Sequence, residues 1–225
     1  MLQLHYFPGN ASLIAHLVLE EIGAPFTLKQ VDRANAAHKS PAYLAMNPNG
    51  LIPVLVDDGD VHGRDGGEVA PLVLYETAAI CMHLADTNPG AGLLPALGTR
   101  ERALAYQWLT WCTNTFQAWL IVYFYPERWA DDAAGAATVK AHAEAKIGAL
   151  LDQIEAQLAH HGGPWLLGDR FGLADSYAVV LCRWTRAFKR PARDLPNVRP
   201  WLDRMLARPA VQRAFATEGL AAPFF

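Results

Sequence analysis

Cysteine is scarce in this chain, and the three present, Cys81, Cys112 and Cys182, lie far apart inside apolar stretches of helical spacing. None is paired as CxxC, so neither a disulfide framework nor a thiolate metal site is indicated. They read as buried, inert thiols in a reducing compartment. Histidine offers no ligand pair: His160 and His161 are adjacent rather than one helical turn apart. Charge of either sign is also thin. Lys and Arg total 19 against 22 Asp and Glu, a net charge of −3, which gives no electrostatic case for nucleic acid or an anionic membrane. Apolar residues make up 52% of the chain, yet the densest stretch, Ala118 to Phe124, is far too short to span a bilayer. No basic segment followed by an apolar run opens the sequence, so no secretory signal is expected. These absences point to a soluble cytoplasmic protein with no metal, nucleic acid or membrane partner. Its 225 residues can bury the core of one large domain or of two small ones.

What is present is concentrated in a few segments. Asn47-Pro48-Asn49-Gly50 is a turn, because proline fixes φ and glycine accepts positive φ. The apolar run after it, Leu51-Ile52-Pro53-Val54-Leu55, reads as a buried strand, but Pro53 cannot donate to a ladder. The Ile52 amide and carbonyl are thereby free to pair with something else. Further on, Glu76-Thr77 opens an apolar helix whose free N–H groups and dipole favour an anion. A free peptide edge and an anion-binding helix start together suit an extended, acidic peptide.

The order of elements divides the chain. Leu2 to Phe7 alternates as a strand, Ser12 to Ile22 carries a helical stripe, and Phe26 to Val31 is a second strand. A short helix over Pro41 to Met46 precedes a hairpin of Pro53 to Val56 with Leu72 to Leu74, interrupted by a polar, glycine-rich insertion, Asp57 to Pro71. A helix from Glu76 to Asp86 closes this α/β unit over 1–86. A turn-rich linker over 87–99 follows. From 100 to 225 only helical patterns occur: Arg100 to Phe124, Ala136 to His160, Asp175 to Phe188, Val198 to Ala207 and Ala210 to Thr217.

Five segments in this order resemble the cytosolic glutathione transferases: Tyr6-Phe7-Pro8-Gly9, Asn47 to Leu55, Leu74 to Ile80, Gly168-Asp169-Arg170-Phe171-Gly172-Leu173-Ala174-Asp175, and Trp201-Leu202-Asp203-Arg204-Met205-Leu206-Ala207-Arg208-Pro209. The match is nearest to the bacterial beta-type branch. The resemblance implies a thioredoxin-like domain followed by an all-helical domain, a homodimer, and glutathione as co-substrate. It assigns Glu76 and Thr77 to the γ-glutamyl end, the Ile52 backbone to the cysteinyl part through a cis Ile52-Pro53 bond, and Lys39 to the glycyl carboxylate. It also makes Asp175 a capping residue of its helix.

Thiol activation is where the chain departs from these relatives. Ala11 stands where the beta-type enzymes carry cysteine, which excludes a mixed disulfide with the protein at that position. Ser12, then Asn10, then Tyr6 are the remaining candidates, in that order. The demand on them is modest. Lowering a thiol by about two pKa units takes about 2.7 kcal/mol, and one charge-assisted hydrogen bond supplies roughly 1.5–3 kcal/mol. In the aromatic-rich helix Arg100 to Phe124, Tyr106, Trp111 and Gln117 are candidates for an electrophile pocket, although most of its aromatics must be core or dimer interface. Gln117-Ala118 stands where the beta-type enzymes place His-Lys. The activity expected is conjugation of the glutathione thiolate to apolar electrophiles. Glutathione-dependent disulfide or peroxide reduction, and glutathione or ligand binding without catalysis, remain open alternatives.

Overall fold

The computed structural model describes residues 1–59 and 70–225. The first unit comprises Met1–Gly92 together with Pro209–Leu220. It is built on four strands, β1 (Leu2–Tyr6), β2 (Phe26–Gln30), β3 (Val54–Asp57) and β4 (Leu72–Tyr75), in the order β2-β1-β3-β4. β1 and β2 run parallel, with Leu4 opposite Leu28, while β3 pairs antiparallel with β1 and β4. Leu4 and Leu55 face each other in register and are wholly buried. The parallel pair needs a crossover, which is helix α1 (Ser12–Ile22), closed by Gly23 in the left-handed region.

Two layers cover the sheet. α1 packs against α3 (Thr77–Thr87), and Leu13, Ile14, Leu17, Val18, Ile80 and Leu84 are all buried. Elsewhere Val31, Tyr43, Ile52 and Val54 form a separate cluster with Phe7 and Met46. Tyr43 and Met46 come from α2 (Pro41–Met46), whose N-cap Ser40 accepts the Tyr43 N–H. The insertion expected over Asp57 to Pro71 is seen only at its ends, because residues 60–69 lie outside the described residues.

The second unit, Leu93–Arg208 with Ala221–Phe225, contains no strand ladder among its described residues. Its helices are α4 (Arg100–Trp111), α5 (Ala118–Phe124), α6 (Ala133–His161), α7 (Leu173–Trp184) and α8 (Val198–Leu206). α4 and α5 are not the single regular helix that periodicity suggests: Cys112–Gln117 between them is wound as π-helix. Thr113, Asn114 and Thr115 fall here, and the Thr113 hydroxyl donates back to the Thr110 carbonyl, a local competitor of the regular helix ladder. α7 rests on Asp175. This wholly buried carboxylate accepts from the backbone N–H of Leu166 and of Gly172 and from the Trp201 indole, at 2.8, 3.0 and 2.8 Å.

The last helix, α9 (Pro209–Thr217), departs from the expected division into 1–86, 87–99 and 100–225. It belongs with the first unit, packed on α1 with Val211, Ala214 and Phe215 buried. Arg213 ties it to Glu20 at 2.6 Å. Its apolar face finds a partner in α1 that sequence proximity would not suggest.

Candidate active site

Strand register gathers the candidate residues at one end of the sheet. His5 lies opposite Val54, and Val54 opposite Tyr75. The segment leaving β1, the segment entering β3 and the segment leaving β4 therefore emerge together. Tyr6 to Ser12, Ile52-Pro53 and Glu76-Thr77 are these three segments. β2 is parallel to β1, so the chain that follows it toward Lys39 starts from the same end.

The entry to β3 is held by its neighbours. The Leu51 carbonyl accepts from the Tyr43 hydroxyl at 2.9 Å and from Asn47 Nδ2 at 2.8 Å. Asn47 Oδ1 in turn accepts the Asn49 N–H at 3.1 Å. Burial pushes the Tyr43 phenol up to about 12, so it remains a donor throughout the working range. The next peptide, Ile52-Pro53, is cis. Among the described residues the Ile52 N–H and C=O have no hydrogen-bonding partner. Neither tie to the Leu51 carbonyl is legible in the sequence, where Asn47 shows only as the start of an Asn-Pro turn and Tyr43 only as a helix residue. Tyr43→Phe removes one of the two ties, worth about 0.5–1.5 kcal/mol. We expect a loss of stability of that size in the Tyr43→Phe variant, measured by urea unfolding.

Lys39 is exposed and reaches across the turn, its Nζ donating to the Asn49 carbonyl at 3.1 Å. Gly50 sits at φ +57 beneath it, and a Cβ there would meet Lys39 Nζ at 2.7 Å and the His38 carbonyl at 2.8 Å. Only glycine allows this close approach.

The start of α3 is open to an anion. Glu76 precedes the helix at φ +71, ψ 110, a strained conformation for a residue with a side chain. Neither its side chain nor any acidic residue caps the first turn. Thr77 is buried, while Glu76 is exposed. The first-turn N–H groups and the Thr77 hydroxyl form a donor set that an α-carboxylate matches.

The thiol-activating candidates separate clearly. Ser12 is wholly buried, and its hydroxyl both donates to the Phe7 carbonyl and accepts the Phe7 N–H, at 3.1 Å each. Both bonds tie it to the loop. Tyr6 turns its ring edge to His16 of α1. Burial, and then the Glu218 carboxylate, raise its phenol above the ordinary range, making it a weaker donor. Asn10 differs from both. Its Oδ1 accepts the Ser12 N–H at 3.2 Å, which fixes the amide so that Nδ2, the donor end, is turned to the other side. The Ala11 N–H at the head of α1 has no partner among the described residues.

The three pocket candidates all lie in the second unit. The Trp111 indole donates to Gln153 Oε1 at 3.1 Å, and its ring packs between Trp108 and Phe116. Gln117 Oε1 accepts from the buried Tyr177 hydroxyl at 2.7 Å. Both side chains are engaged within the helical unit. Tyr106 is 39% exposed, with the Arg102 guanidinium 4.8 Å over its ring.

Residues 11–87 match the family model of the glutathione S-transferase N-terminal domain, and 112–209 that of the C-terminal domain. The chain belongs to the glutathione S-transferase family. It is 30% identical over 221 residues to the glutathione S-transferase GstA of Escherichia coli O157:H7, spanning 97% of this chain and all of that one. It is also 30% identical over 224 residues to the disulfide-bond oxidoreductase YfcG of Escherichia coli K12, covering 95% and 94% of the two chains. A glutathione transferase homolog from Sulfitobacter, solved with bound glutathione, superposes with a TM-score of 0.82 at 28% identity over 98% of this chain and 99% of that one. Within this family the chain carries alanine at position 11 and a side-chain amide at position 10. Among the described residues no group of three or more His, Cys, Asp or Glu could hold a metal ion, and no helix is long and apolar enough to cross a membrane.

Proposed function

We propose that this protein is a glutathione transferase in which bound glutathione, held as its thiolate, attacks a soft apolar electrophile. One observation carries the reading. The unpaired Ile52 backbone and the uncapped start of α3 emerge from the same sheet end, and a γ-glutamyl tripeptide supplies what each lacks. The Ile52 N–H and C=O pair with the cysteinyl residue as an added strand. Thr77 and the first-turn N–H groups take the γ-glutamyl carboxylate, Glu76 takes the amine, and Lys39 meets the glycyl carboxylate. This places the sulfur toward the head of α1, where the Asn10 Nδ2 and the Ala11 N–H are its donors. The thiolate displaces a leaving group, forming a carbon–sulfur bond as the leaving group departs with the bonding electrons. The working form is a cytoplasmic homodimer.

Thr77→Val keeps the shape and removes a charge-assisted hydrogen bond, worth about 1.5–3 kcal/mol. The glutathione Kd by calorimetry should rise by at least tenfold. An unchanged Kd would remove the γ-glutamyl assignment.

The likeness to a relative named a disulfide-bond oxidoreductase favours a second reaction at the same site. Ala11 cannot form a mixed disulfide, so a glutathione thiolate would attack the disulfide substrate and release one thiolate. A second glutathione would then release the other and leave glutathione disulfide. Stoichiometry separates the two. An aryl chloride should consume one glutathione per chloride released, whereas a disulfide would consume two and yield glutathione disulfide. Turnover of the aryl chloride at least as fast as of the disulfide supports the transferase; turnover of the disulfide alone would replace it by the reductase.

A further inference from the structure

The loop carrying Asn10 is held by a buried Glu–His pair that the thiol chemistry just described does not use. Glu218 follows α9 and is 5% exposed; His16 lies on α1 and is 0% exposed. The Gly9 N–H donates to Glu218 Oε2 at 2.8 Å, and Glu218 Oε1 lies 2.8 Å from His16 Nδ1. The carboxylate thus spans the loop and the first helix. Gly9 stands at φ +69, so the chain turns sharply at the very residue that Glu218 grips. Asn10 is next in sequence, and its own N–H returns to the Phe7 carbonyl at 3.3 Å. Ser12 fastens Phe7 from the other end of the same loop. Phe7 and Gly9 are therefore both fixed, and Asn10 has little freedom left.

The pair is itself enclosed. The His16 ring is bracketed by the rings of Tyr6 and Phe26, with centroids 6.3 and 5.7 Å away. Among the described residues its Nε2 has no hydrogen-bond partner, and it lies 3.8 Å from Glu20 Oε1. Glu20 is in turn held by Arg213 of α9. A buried carboxylate is costly unless its lone pairs are satisfied. Here one oxygen serves the imidazole and the other serves a loop amide, at the far end of the sequence from both.

We infer that Glu218, seated on His16, is a positioning residue for thiol activation: by gripping the Gly9 N–H it sets where Asn10 meets the glutathione sulfur. It touches neither glutathione nor the electrophile and acts only through the loop. The inference rests on the transferase reading, and its test must separate the two.

The measurement is the thiol pKa of bound glutathione, from thiolate absorbance against pH, together with steady-state kinetics and thermal unfolding. It is made on the wild type, Glu218→Ala and Glu218→Gln. Alanine removes both ties, while glutamine keeps an oxygen acceptor for Gly9. Positioning predicts that the alanine variant raises the bound thiol pKa by about one unit and lowers kcat at pH 7 several-fold. The glutamine variant should then lie near wild type and the electrophile KM should stay unchanged in both. If the alanine variant does not fold, Glu218→Asp replaces it, since a carboxylate one methylene shorter cannot reach both partners. The same rise is expected there. A fall in thiol pKa in both Ala and Gln variants would overturn the inference, because the lost negative charge and not the lost grip would then govern the sulfur. An unchanged pKa and kcat with a lowered Tm would also overturn it, leaving a purely structural tie. A wild-type pKa equal to that of free glutathione would instead fail the transferase reading itself.

Discussion

Asn10→Ala should raise the pKa of bound glutathione by about one to two units and cut turnover of a soft electrophile roughly tenfold at pH 7. The size follows from one lost charge-assisted hydrogen bond, about 1.5–3 kcal/mol, at 1.36 kcal/mol per pKa unit. Because the loss is in the fraction of thiolate, it should largely disappear at a pH above both values. The glutathione KM should change little, since Asn10 holds no end of the tripeptide. Asn10 also caps the head of α1 through Oδ1, so alanine is expected to cost about 1 kcal/mol of stability as well. Asn10→Asp separates these roles: it keeps the cap but replaces the donor by a carboxylate. Its unfolding midpoint should stay near wild type while its bound thiol pKa rises further than in the alanine variant. A bound pKa indifferent to both changes would leave the Ala11 N–H and the α1 dipole as the activators.

The second large effect falls on stability, not chemistry. Asp175→Ala should destabilise the protein by about 2–5 kcal/mol at pH 7, measured by urea unfolding. Three buried N–H groups, of Leu166, Gly172 and Trp201, lose their acceptor, each costing about 1–3 kcal/mol. Against this, burial pushes the Asp175 carboxyl up to about 6, its three donors and Arg208 notwithstanding. With an ordinary value of 3.8 in the unfolded chain, the native state holds more protons between about pH 4 and pH 6. This contribution to stability is full below pH 4 and is lost as pH rises through 6, a change of about 3 kcal/mol. Alanine removes that cost along with the acceptors. Its destabilisation should therefore be larger at pH 5 than at pH 7. The opposite pH trend would show that Asp175 is stabilised as an anion by its donors more than burial penalises it.

How far the sequence foretold this structure depended on whether the signal was local. Ile52-Pro53 and Glu76-Thr77 could be read because each defect is intrinsic to its residues: proline has no N–H, and a helix start has spare ones. The strand and helix segments of the α/β half and the all-helical remainder followed from periods of two and 3.6 residues. Ser12 cannot be ranked from sequence alone, because a hydroxyl can serve a ligand or a backbone, and nothing in the sequence says that Phe7 already occupies it. The amide of Asn10 shows the reverse case, where a neighbouring N–H settles which end is free. That α9 packs with the first unit is not legible in the sequence, because its apolar face matches any buried partner equally well. Glu218 had no signal at all. Its partner His16 is 202 residues away, and a lone glutamate after a helix reads as a solvated end.

The central claim is that this site ionises glutathione without a cysteine at position 11, and thiolate absorbance of the bound tripeptide against pH tests it most directly. The account predicts a bound pKa about two units below that of the free thiol in the wild-type protein. Tight binding with an unshifted pKa would contradict it, leaving a glutathione-binding protein that does not activate the thiol it holds.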